Sequence, residues 1–119
     1  MAIAGEKGRL ISADKVEGTA VVSAKGESLG HISEIMIDKV SGKVAYAVLK
    51  YGSVMGLGGK LFALPWEVLK YDTRFDSYVV DIPEERLKNA PSFDENNPPD
   101  MADPQWGKRV RDYYGVSAI

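Results

Sequence analysis

Between residues 16 and 82 the apolar residues come in short runs, each closed by glycine, proline, aspartate or serine. Runs punctuated in this way predict strands and turns rather than long helices. Thr19 to Ser23 is the first predicted strand, and Lys25-Gly26-Glu27 supplies a turn. His31 to Asp38 is the second, with Ile35 and Ile37 alternating against polar neighbours, as a half-buried strand requires. Asp38 to Gly42 predicts a hairpin connection, because Asp and Ser bond nearby amides and Gly tolerates positive φ. Val44 to Tyr51 is the third strand and the clearest. Val44, Tyr46 and Val48 share one face, while Ala45, Ala47, Leu49 and Tyr51 share the other. Both faces are largely apolar, which predicts a central strand.

Leu61 to Leu64 is a fourth strand that Pro65 should end or confine to an edge. Trp66 to Tyr71 reads equally as one helical turn or a strand, and Trp66 is expected to be partly buried near a barrel end. Asp72 to Asp76 predicts a turn, and Tyr78 to Ile82 the last strand. Six short strands without a long helix between them predict an all-β fold, an antiparallel sheet closing into a small six-stranded barrel. The chain thus divides into a polar leader (1–15), a β-barrel body (16–82) and a tail (83–119). Pro83 and the first-turn glutamates Glu84 and Glu85 predict a short helix that Pro91 stops. Asp94 to Pro104 holds three prolines and four acidic residues, which predicts an extended tail. Trp106, Tyr113 and Tyr114 then restore aromatic character: either they pack back on the barrel, or they form a docking surface for a partner.

Composition narrows the chemistry. The 119 residues are 45% hydrophobic, enough for a core without metals or disulfides. There is no cysteine, so thiol nucleophiles and thiolate metal sites are excluded. No apolar run approaches the roughly 18–20 residues that span a bilayer, and the start lacks the apolar stretch of a secretory signal. The expected location is the cytoplasm. Net charge is −2; residues 1–60 hold 8 basic and 6 acidic residues, and residues 61–119 hold 7 and 11. Neither half is strongly basic, so nucleic acid is disfavoured as a partner.

The stretch Gly52 to Lys60, "GSVMGLGGK", has the look of a phosphate cradle. Position 54 is Val where a P-loop needs Gly, and Leu61 follows Lys60 where a Ser or Thr hydroxyl is needed. A dinucleotide fingerprint fails at the same residue, since its third glycine falls on Leu61. The stretch reads as a glycine-rich hairpin, with Met55 and Leu57 offered at its tip as candidate partner contacts. His31, the only histidine, has no serine or ligand set at a diagnostic spacing. Asp94, Glu95, Asp100 and Asp103 do not match a calcium loop, and solvation is their expected role. Tyr71, Phe75 and Tyr78 are expected to pack at the barrel end rather than stack bases.

Taken together, "GESLGHISEIMIDKVSGKVAYAVLKYG", "KLFALPWEVLKYD" and "YVVDIPEERLKNAPSF" resemble the PRC-barrel family over roughly residues 16–93. The ending "DPQWGKRVRDYYG" is similar to that of stand-alone bacterial members. The resemblance implies a small six-stranded barrel used for assembly, with no shared catalytic residues. No catalytic, cofactor or metal residue is therefore expected, and the chain is expected not to be an enzyme. The expected function is a non-catalytic protein-interaction module whose partner is another protein, a second copy of the chain included. The candidate contacts are Met55, Leu57, Trp106, Tyr113 and Tyr114. The alternative implied by the resemblance is an RNA or ribosome-assembly accessory, with Lys108, Arg109 and Arg111 as its basic patch.

Overall fold

The computed structural model describes residues 10–52 and 60–116. The described residues form six strands: β1 (Ala20–Ser23), β2 (Ser28–Ile37), β3 (Val44–Tyr51), β4 (Leu61–Pro65), β5 (Leu69–Asp72) and β6 (Ser77–Val80). Among the described residues three helices accompany them: α1 (Ala13–Val16), α2 (Glu84–Lys88) and α3 (Pro104–Tyr114). The β3 bounds coincide with those its alternation predicts. The ambiguous segment after Pro65 contains both alternatives, a 3-10 turn at Trp66–Val68 followed by β5.

The strands form one mixed sheet in the order β4-β3-β2-β1-β6-β5. Two expectations are corrected here. The sheet is not wholly antiparallel, because β6 runs parallel to β1, with Val21 opposite Tyr78 and Ser23 opposite Val80. The 3-10 corner at Trp66–Val68 turns the chain so that the β5–β6 hairpin returns along β1 in its own direction. Nor do the strands close on themselves: among the described residues no ladder joins β4 to β5. The result is a curled half-barrel.

Curling a sheet needs local breaks in register. Strand β2 carries an extra residue at Ser33, between Ile32 and Glu34, and β3 carries one at Ala45, opposite the Met36–Ile37 step. The expected inward alternation is corrected at the end of the strand: Ile35 is half-buried, whereas Ile37, the last residue of β2, is 52% exposed. The inward residues of β2 are Leu29 and Ile32. Gly30, at φ 151°, lets β2 and β3 approach closely. A Cβ there would lie 2.0 Å from the Lys50 carbonyl oxygen, so no larger residue fits without moving backbone. The β2–β3 turn forms as Asp38 predicts: its Oδ1 accepts from the amides of Val40 (2.8 Å) and Ser41 (3.1 Å). Those two bonds also hold the Asp38 carboxyl below its usual range.

The inner face of the half-barrel is filled by Val21, Ile32, Leu49, Phe62, Leu64 and Val80, with Leu87 of α2 added to the same cluster. The outer face of β3 and β4 carries a second, smaller cluster of Tyr46, Ala63 and Val110, flanked by Met36, Phe93 and Trp106. Val110 and Trp106 belong to α3. The extended character expected of 94–104 ends at Pro104, and residues 104–114, where the aromatic residues return, form a helix. Asp103 caps the helix by accepting from the Gln105 amide (3.0 Å), Pro104 opens it, and Gly115 ends it at φ 70°. Its apolar residues then lie against the strand face that needed cover.

Candidate functional site

The candidate contact residues of the tail face inward rather than outward. Trp106 meets the Tyr46 ring edge-on, at 5.3 Å and 67°. The Arg111 guanidinium lies 5.5 Å from the same Tyr46 ring, and Arg111 also pairs with Glu67 at 3.4 Å. Tyr113 is bound to α2 at both ends: Arg86 Nη2 donates to the Tyr113 carbonyl, and the Tyr113 hydroxyl donates to the Arg86 carbonyl. The guanidinium of Arg86 sits 4.5 Å from the Tyr113 ring centre. Tyr114 wedges between the two apolar clusters, and its hydroxyl is buried with no partner among the described residues. Burial accordingly pushes the Tyr114 phenol well above its ordinary range. Met55 and Leu57 lie outside the described residues, as does most of the glycine-rich stretch.

The basic patch considered in the tail is largely neutralised. Lys108 pairs with Asp112 at 2.7 Å, and Arg111 with Glu67. His31 is half-buried on β2, opposite Ala20 on one side and Lys50 on the other. Among the described residues no group of three or more His, Asp or Glu could hold a metal ion. Nor is any described helix long and apolar enough to cross a membrane.

The aromatic end of the sheet is more open. Trp66, half-buried at the 3-10 corner, lies 5.6 Å from the Tyr78 ring. Tyr78 is buried, and Tyr71 stands edge-on to it at 5.2 Å. Tyr71 and Phe75 remain 44% and 39% exposed. The Tyr71 hydroxyl donates to Asp76, which raises its ionisation above the ordinary phenol value. Asp72 closes the β5–β6 turn: it accepts from the Arg74 amide (2.8 Å) and pairs with the Arg74 guanidinium (2.6 Å).

The two edges of the sheet differ. At β4, Pro65 offers no N–H, and Phe93 of the tail exchanges two backbone bonds with Leu61, at 3.1 and 2.9 Å. At β5, β6 is the only strand neighbour among the described residues, which leave the outer edge open. The sequence left β5 open between a helical turn and a strand, because Trp66 to Tyr71 supports both assignments. The exposed Lys70 and Tyr71 beside a turn were the available signal.

A curled six-stranded sheet with an apolar inner face, and with its charged groups outside, defines a small β-domain built around its own side chains. The sequence profile of the PRC-barrel domain matches residues 8–87. The chain therefore belongs to the PRC-barrel family. A comparison with curated proteins gives no match. The matched span contains all six strands and most of α2, but α3 lies beyond it.

Proposed function

We propose that the chain is a non-catalytic assembly module that works through its outer surface in the cytoplasm. One observation carries this reading: the concave side of the sheet is filled by the chain's own side chains. Phe62, Ile32, Leu49, Leu64, Val21 and Val80 are fully buried there. A sheet this small packs its interior rather than enclosing a ligand. A partner would accordingly meet the strand edges, the turns or the helix-covered outer face.

Affinity capture of the tagged full-length chain from its native lysate, read by mass spectrometry, tests this. The expected result is a protein retained above a tag-only control and kept at high salt. Retention of nothing beyond that control would contradict the proposal.

A further inference from the structure

The open β5 edge is self-complementary. We infer that two copies of the chain pair antiparallel along β5, about a two-fold axis at Tyr71. The inference rests on the reading that this chain works through its surface, and it names the surface and the partner.

An unpaired strand edge is a template for another strand, and proteins usually block it. Among the described residues this chain blocks β4 with Pro65 and Phe93 and leaves β5 uncovered. The β5 sequence is Leu-Lys-Tyr-Asp. In a two-fold pairing centred on Tyr71, each Lys70 lies opposite the Asp72 of the other copy, and the two Tyr71 side chains lie opposite one another. Shifting the centre to Lys70 sets lysine against lysine, and shifting it to Asp72 sets aspartate against aspartate. Like charges directly opposite one another destabilise a sheet, while opposite charges support it. The charge pattern therefore selects one register.

The faces also agree. Tyr71 lies on the same side as Tyr78, its partner in the β5–β6 ladder. Lys70 and Asp72 alternate onto the other side. Lys70 is exposed; both Asp72 oxygens already accept from Arg74, so an incoming ammonium shares that carboxylate with the guanidinium and adds a modest attraction. Two partly exposed Tyr71 rings meeting across the axis add an aromatic cross-strand pair. Four residues per copy make a small contact, so the pairing is weak and depends on concentration.

Sedimentation velocity of the full chain over a dilution series reads the equilibrium. A reversible monomer–dimer equilibrium is expected, and Lys70→Glu should weaken it about tenfold by turning two attractions into repulsions. Circular dichroism of that variant should match the parent, because Lys70 is exposed. Register is read separately in this cysteine-free chain. Under mild oxidation the Tyr71→Cys chain should form a symmetric disulfide dimer readily, and the Lys70→Cys chain poorly. A monomer at every concentration overturns the inference. So does a dimer indifferent to Lys70→Glu, or equal cross-linking from both cysteine variants. A monomer that still retains a protein in the capture experiment rules out self-pairing while leaving the assembly role in place.

Discussion

Strand β3 buries both of its faces, but by different means. Its inner face, with Ala47 and Leu49, is covered by the sheet itself, through Ile32, Phe62 and Leu64. Its outer face, with Tyr46, is covered by α3, which arrives after an irregular stretch at 94–103. The inner packing lies within the family-matched span and the outer cover lies beyond it. An apolar strand face must be covered by something, and the chain recruits an added helix for the face its sheet cannot reach. The inner cluster is broad, whereas α3 contributes a single fully buried residue, Val110. The inner face should therefore dominate stability, and the outer one should resemble an attachment.

Substitutions on the two faces test this ranking. Phe62→Ala should be the most damaging, costing about 3–5 kcal/mol in urea unfolding, because it leaves a large cavity under fully buried neighbours. An unfolding midpoint close to the parent's would deny Phe62 its place in the core. Val110→Ala removes less volume from the outer cluster and should cost about 2 kcal/mol. A loss equal to that of Phe62→Ala would erase the distinction between the faces. Asp103→Ala removes the cap of α3 and should cost about 1 kcal/mol, seen as reduced helical signal before the sheet melts.

A smaller effect appears in alkali. The Tyr51 phenol, packed against Phe62 and donating to Glu84, is pushed from 10.0 to about 12 by burial first and by Glu84 second. Its contribution is complete below about pH 10. As pH rises towards 12, the unfolded chain releases this proton while the folded chain keeps it, so stability falls. Tyr51→Phe should remove that part of the decline. The difference in melting temperature between parent and variant should therefore shrink from about pH 8 to about pH 11. A constant difference would place Tyr51 outside the core.

The inner face was legible because its signals are local. The alternation in Val44 to Tyr51 and the proline at position 65 mark β3 and an edge strand directly. The apolar character of both β3 faces also foretold burial on both sides, although not by which element. The parallel pairing of β1 with β6 was not legible, since it depends on the corner at Trp66–Val68 and on contacts distant in sequence. The exposure of Ile37 was hidden for a related reason: the residue is apolar, yet it ends β2 and is left to solvent. The helix α3 was legible in part. Asp103-Pro104 and Gly115 are its start and stop signals, but the prolines and acids of 94–104 drew the reading towards an extended chain. The open β5 edge is a property of the assembled sheet, visible only once its neighbours are fixed.

Native-state hydrogen exchange measures the difference between the two faces most directly. Amides of β3 and β4 should exchange only through global unfolding, with a steep dependence on denaturant. Amides in 106–114 should exchange sooner, through a local opening with little such dependence. Equal protection of α3 and β3, with the same denaturant slope, would show that helix and half-barrel form one cooperative unit and would contradict this account.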